Sequence, residues 1–359
     1  MPGGSFNWSG AGIKEGKNQN PVQATLYLKS EFDKENNIET KDDTGYVGGA
    51  STKLGEIRVK ADGTITLKDN LRWGEGLEHF LFGMFGGNRV GVPGENDEAG
   101  LYIYNFGNGQ DLPFFTFIQG LNMSDEDDLG TLKPTIFDNA IINQLKLTLA
   151  NDGNINIEIG CLNDYPLYNI VPTDPTRVYR PVSFIVSKAN VKIGIGDVGA
   201  DDTELVMTDC IQSLDADFNW NAASKSCYAD QFGKNNLARG ELGSSVKYVM
   251  DLNKNNMRLE EKHATGVAGG TYVNEKPYEQ KVVIFISGYL VNGSRTSCRI
   301  EIPTISLKPP KRGTSGTEGV NIEVDANTIM ELATGQIVDI RIASELAELL
   351  ISNQTYTLP

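Results

Sequence analysis

Residues 194–199 read Gly-Ile-Gly-Asp-Val-Gly. In a G-x-G-x-x-G turn that opens a helix, the glycines let a dinucleotide's pyrophosphate approach the backbone amides, and the helix dipole favours its charge. Here four carboxylates, Asp197, Asp201, Asp202 and Glu204, would face that doubly charged ligand. The stretch 182–195 alternates apolar and polar residues, and 205–207 and the alternating stretch beyond it read as more strand, so no helix start is expected. The sequence predicts a glycine-rich turn between strands, not a phosphate cradle.

The remaining chemistry-bearing residues are sparse or scattered. His79 and His263 are the two histidines, and neither has the i, i+4 partner of a zinc site or the nucleophile elbow of a hydrolytic triad. Asp125-Glu126-Asp127-Asp128 and Asp201-Asp202 lack the Gly-punctuated spacing of a calcium loop and read as solvated charge. Cys161, Cys210, Cys227 and Cys298 lie far apart with no C-x-x-C, and read as scattered buried thiols. The expectation is a protein without catalytic, cofactor-binding or metal-ligating residues, and so not an enzyme.

Charge narrows the partners. Lys plus Arg total 32 against 47 Asp plus Glu, a net charge of −15. Nucleic-acid affinity comes mainly from Lys and Arg displacing counterions, so this balance argues against binding DNA, and equally against anionic membranes. The first residues, MPGGSFNW, carry neither a charged leader nor an apolar core, and no apolar run approaches the roughly 20 residues of a membrane span. A soluble protein made in the cytoplasm is expected.

Elements that could position any site are mostly strands. Leu145, Leu147 and Leu149 alternate with polar residues, as do Ile155, Ile157 and Ile159 beyond a turn at 151–154, the pattern of a hairpin with one buried face. Similar hairpins are predicted for 101–117, turning at Asn108-Gly109, and for 282–302, turning at Asn292-Gly293. Leu77, Phe80, Leu81 and Met84 share a helical face that ends at Gly86-Gly87. A weaker helical pattern spans 255–264, and Ser344 could cap another helix carrying Leu346, Leu349 and Leu350. Polar segments 31–53 and 222–240 read as long loops, which inside compact domains usually serve a function. The stretch 307–319 reads as a Pro/Gly linker or exposed loop.

The chain also repeats itself. Val22-Gln23 and Ile211-Gln212 each open a strand before a long loop, and Leu54-Gly55 and Leu242-Gly243 each open the next strand. The Asn-Gly pairs at 108 and 292, and the strands holding Pro113 and Pro303, come in the same order, all at offsets of 184–190. Such recurrence predicts a duplication, with halves meeting near 172–181.

This order of elements resembles the tail tube proteins of long-tailed bacteriophages. The segments that carry the resemblance are 54–87, a Gly-led strand and short apolar helix; 111–120, a strand after Leu-Pro; and 137–160, an aromatic followed by a two-strand hairpin. In the second half, 210–252 and 297–307 echo the strand, loop, strand and closing strand. The resemblance spans roughly 20–310 and includes no catalytic signature.

The resemblance implies a mainly β chain of two tandem tail-tube-like antiparallel β-sandwich or barrel domains, each with a flanking helix. Domain 1 would cover 1–178, with an N-terminal arm at 1–21; domain 2 would cover 179–359, with a C-terminal extension at 308–359. The protein's main partner would be itself, in a ring, trimeric with pseudo-sixfold symmetry, stacked into a tube in the virion. Tape measure, tail terminator and tail tip proteins would be further partners, and DNA would pass through the lumen without specific binding. The two loops supply the candidate contacts between rings and subunits: Lys41, Asp42, Asp43, Tyr46 and Lys53 in the first, Lys225, Tyr228, Phe232, Lys234 and Arg239 in the second. A secreted or surface carbohydrate-binding β-protein, also acidic and Gly-rich, is the alternative.

Overall fold

The computed structural model describes residues 6–349 apart from short breaks and four longer ones, 123–134, 169–183, 226–235 and 252–258. The chain is mainly β. In the first half run β1 (Phe6–Lys14), β2 (Leu26–Leu28), β3 (Glu31–Val47), β4 (Ala50–Asn70), β5 (Arg72–Trp73) and helix α1 (Leu77–Phe85). They are followed by β6 (Val92–Pro93), β7 (Tyr102–Phe106), β8 (Phe114–Asn122), β9 (Thr135–Leu149) and β10 (Ile155–Asp164). The second half opens with β11 (Phe184–Ile185), β12 (Val191–Asp197), β13 (Val206–Met207), β14 (Ile211–Asn219), β15 (Ala223–Lys225), β16 (Asn236–Ala238) and β17 (Gly243–Asp251). Helix α2 (Leu259–Thr265) precedes β18 (Glu279–Val291), β19 (Ser294–Leu307), β20 (Lys311–Ser315), β21 (Gly319–Thr328) and β22 (Asp339–Ser344).

One run of antiparallel pairings dominates: β3–β4–β10–β9–β14–β17–β21–β20. Period-2 alternation explains its faces. Ile65, Leu67, Ile159, Leu145, Leu147, Leu214, Ala216, Phe218, Val246, Tyr248, Ile322 and Val324 all point to the core and are buried. The intervening residues are largely polar.

A second layer covers that core. In the first half it is β2–β1–β8 and the start of β9; in the second it is β13–β12–β18–β19. Phe32 of β3 meets Phe117 of β8 edge to face, ring centroids 6.3 Å apart, and Tyr248 of β17 donates a 2.9 Å hydrogen bond to Gln280 of β18. α1 fills the first core. All its residues are buried, so it is not amphipathic, and it ends where Gly86 (φ 68°) donates to the Phe82 carbonyl. α2 occupies the predicted place after β17.

The same order of pairing therefore occurs twice. The first half reads β2–β1–β8–β9–β10–β4–β3, and the second reads β13–β12–β18–(β19, β20)–β21–β17–β14. The two halves are fused through β9–β14 and through β7–β22, and one continuous cluster of buried residues runs from Ala11 to Leu349.

Several sequence expectations are corrected. Segment 31–53 is not a loop but most of a long hairpin, β3–β4, whose end runs past the last β10 partner, Asp62. A ribbon wet on both faces needs only backbone partners, so it shows no apolar alternation. In 222–240, β15 and β16 likewise pair. The segments 101–106 and 114–117 do not form a hairpin, since β7 joins β22 and β6 while β8 joins β1 and β9. Turn residues cannot say which sheet the chain enters next. That correction also ends the equivalence of Asn108-Gly109 with 292–293 and of Pro113 with Pro303: the hairpin β18–β19 corresponds to β8–β9.

The ends differ as well. Residues 6–14 are a paired strand rather than an arm, and 308–344 supply β20, β21 and β22 rather than an extension. Ser344 caps no helix. Its hydroxyl donates to Glu78 at 2.6 Å and accepts from the Leu346 amide, while Glu348 bridges to Val90. The expected domain boundary, and Asp125–Asp128, fall outside the described residues. The predicted hairpins 144–159 and 282–302 do form, and the latter turns on Asn292 (φ 50°) and Gly293 (φ 94°).

Candidate functional site

The glycine motif sits where strand β12 turns toward β13. Gly194 and Gly196 are in β12, paired with β18, and Gly199 supplies a φ of +83° in the turn. The chain continues into β13 rather than a helix, so no amide cluster faces a phosphate. His79 is buried inside α1, and the His263 ring lies 3.0 Å from the Leu307 carbonyl. Among the described residues, no group of three or more His, Cys, Asp or Glu is placed to hold a metal. Cys161 and Cys298 are free and buried, and burial pushes both thiols far above their ordinary range.

The densest buried polar cluster closes the first half. Lys14 donates to Asp138 at 2.8 and 2.9 Å and to Asn139 at 2.9 Å. Thr116 donates to Asp138 at 2.8 Å, and Asn139 donates to Asp164 at 2.6 Å. Every charge has a partner, and the cluster sits where β9 passes from one layer to the other, at Asn139 with φ 51°. It fixes a bend in β9.

What the fold does present is a sheet with distinctive edges and one charged face. At the seam, Leu214 lies opposite Leu149, Ala216 opposite Leu147 and Phe218 opposite Leu145, while on the outer face Gln144 donates to Asp217 at 2.9 Å. Beyond the core-facing side runs a ladder of opposite charges. Glu31 lies across from Lys68, Lys68 from Glu158, Glu158 from Lys146, and Lys146 from Asp217. A second row joins Asp215, Lys247 and Asp325, and Lys247 also pairs with Glu323. Cross-strand pairs of this kind stabilise by roughly 0.2–1 kcal/mol each. Asp33 and Glu35 lie opposite threonines, so the face is acidic on balance at the β3 end. Among the described residues, β3 pairs only with β4 and β20 only with β21, leaving one backbone edge of each open.

The expected contact residues fall in three groups. Lys41 and Asp42 are exposed on the projecting part of β3, and Lys225 is exposed on β15. Asp43, Tyr46 and Lys53 lie on the same β3–β4 ribbon, their side chains outside the described residues, as are Tyr228, Phe232 and Lys234 entirely. Arg239 is turned inward. It is partly buried, donates to the Pro113 carbonyl at 3.3 Å, and burial pushes its guanidinium down to about 10. The sequence marked 31–53 as a contact segment, but as a loop, and carries no local signal for the two open edges or the seam. The nearest hint was the polar residues alternating with apolar ones on 144–148, 215–217 and 245–247. No protein-family model matches this chain, and no curated protein matches it.

Proposed function

We propose that the chain is a structural subunit of a bacteriophage tail tube, not an enzyme, and that it assembles with copies of itself into rings that stack into a conduit for DNA. The observation that carries this reading is the sheet β3–β4–β10–β9–β14–β17–β21–β20, in which one four-strand order is repeated and, among the described residues, an open edge remains at each end. Open edges are an aggregation liability unless paired, and head-to-tail pairing that closes by rotation makes rings. Each half stands for one tube domain, so three copies form a ring with pseudo-sixfold symmetry. Three sheets of this kind make a barrel of about 24 strands, wider than the barrels of about 16–18 strands that leave an aqueous channel.

The charged outer face becomes the lumen wall in this arrangement, and its acidic balance keeps phosphate backbones from adhering as DNA passes. The β3–β4 ribbon reaches the neighbouring ring, with Lys41 and Asp42 at the contact. Electron microscopy of the purified full-length chain tests the reading. Stacked rings or tubes are expected, and persistent monomers at assembly concentrations would overturn it.

A further inference from the structure

We propose that the open edge of β3 in one copy pairs antiparallel with β20 of the next copy, in the register already used by the β9–β14 seam inside each chain. The inference rests on the ring-forming reading and names the surfaces that close the ring. The seam shows what the joint looks like, because β14 is the first strand of the second four-strand unit, as β3 is of the first. Likewise β9 is the last strand of the first unit, as β20 is of the second.

The register comes from matching rows. In the first unit a row runs Phe32–Leu67–Ile159–Leu145 and crosses the seam to Phe218. Matching Ile211, the first core-side residue of β14, with Phe32, that of β3, the row in the second unit runs Ile211–Met250–Ile322–Arg312 and stops at the edge. Phe218 lies seven positions beyond Ile211, with one extra residue at the bulge between Ile211 and Ser213. The same step along β3, without a bulge, leads from Phe32 to Ile38. Ile38 therefore comes opposite Arg312, Asn37 opposite Gly313 and Glu39 opposite Lys311.

Two independent features fit that register. Ile38 is 39% exposed where its counterpart Phe218 is 1% exposed, so β3 carries an apolar side chain that a neighbouring edge would cover. Glu39 and Lys311 bring opposite charges face to face, and Lys311 is largely exposed, 3.7 Å from Asp325 of its own copy. The edge strand β3 is otherwise acidic, through Glu31, Asp33 and Glu35, and a second copy's β20 brings the complementary lysine.

Cysteine cross-linking of the full chain tests this. Asn37→Cys with Gly313→Cys places two thiols on directly paired residues, and a side chain at Gly313 meets no neighbour. Seven strand spacings at about 4.8 Å separate these positions by roughly 34 Å along the sheet of one chain, so a disulfide must join two copies. Mild oxidation is expected to give a ladder of linked copies on a non-reducing gel, while Glu31→Cys with Gly313→Cys gives none. In a second arm, Lys311→Glu is expected to raise the concentration needed for assembly severalfold, and adding Glu39→Lys to restore it. Rings seen by microscopy without the Asn37–Gly313 link, or without charge rescue, overturn the edge assignment and leave the tube reading standing. Linked closed rings that never stack support the assignment and count against the tube. Monomers in every arm overturn both.

Discussion

Lys14 at the end of β1 buries its ammonium completely and donates to both carboxylate oxygens of Asp138, 124 positions away, at 2.8 and 2.9 Å. The pair ties the first strand to the bend of β9. Lys14→Met leaves the Asp138 carboxylate buried and uncompensated, which costs about 3–5 kcal/mol. Urea unfolding is expected to show that loss, with part of it recovered in Lys14→Met/Asp138→Asn. An unchanged midpoint for the single variant would show that the cluster contributes no net stability.

Phe218 of β14 packs edge to face on Phe85 of α1, centroids 5.2 Å apart, although the two belong to different halves. Phe218→Ala is expected to cost about 3–5 kcal/mol. Because one core runs through both halves, unfolding should remain a single transition by fluorescence and by circular dichroism. Two separated transitions in the variant would mean that the halves are energetically independent.

Two glycines separate crowding from backbone strain. A Cβ at Gly83 would lie 2.6 Å from both Ile142 Cδ1 and Phe115 Cε2, so Gly83→Val overpacks the core by about 1–3 kcal/mol. Gly199 has open space around it but a φ of +83°, so Gly199→Ala costs about 1–2 kcal/mol through backbone strain alone. Chemical denaturation of both variants checks the order of the two effects. Thermal shifts with dinucleotides should be absent for the wild type and for Gly199→Ala alike.

The seam between β7's flank and β22 has a pH-sensitive ion pair. Arg341 donates to Glu98 at 2.6 Å, and that hydrogen bond holds the Glu98 carboxyl below its ordinary 4.5. A depressed folded pKa means stability that is complete above about pH 4.5 and lost as pH falls through the lower folded value. The protection factors of 102–106, corrected for the intrinsic pH dependence of amide exchange, should fall at acid pH in the wild type. Glu98→Gln should lack that acid limb, and an identical profile would show that another group sets it.

Deleting 41–50 shortens the β3–β4 ribbon beyond the region that β10 braces. Single rings are expected to survive while stacking fails, visible as isolated rings instead of tubes by electron microscopy. Tubes of normal length from the deletion variant would rule the ribbon out as the contact between rings.

Much of the strand content was legible locally. The 144–159 and 282–302 hairpins, the helix at 77–84 and the strand after Gly199 come from period-2 or period-3.6 patterning, which needs only neighbouring residues. The recurring order of elements was visible, but the matched positions slipped. The pairing order sets β3, not the strand expected at Val22-Gln23, against the β14 strand opened by Ile211, and after residue 86 the connection from α1 to β8 is longer than that from α2 to β18 and carries the extra strands β6 and β7. The ribbon 31–47 was read as a loop because an exposed two-strand edge has no buried face to impose alternation.

By itself the sequence determined which residues alternate, where glycine permits a turn, and that the surface is acidic. These are properties of adjacent residues and of summed charge. Tertiary structure alone decided that β7 pairs with β22 rather than β8, that β9 meets β14, and that β3 and β20 keep an open edge among the described residues. Backbone hydrogen bonds between strands are nearly indifferent to side-chain identity, so which edges meet is settled by packing across the whole core.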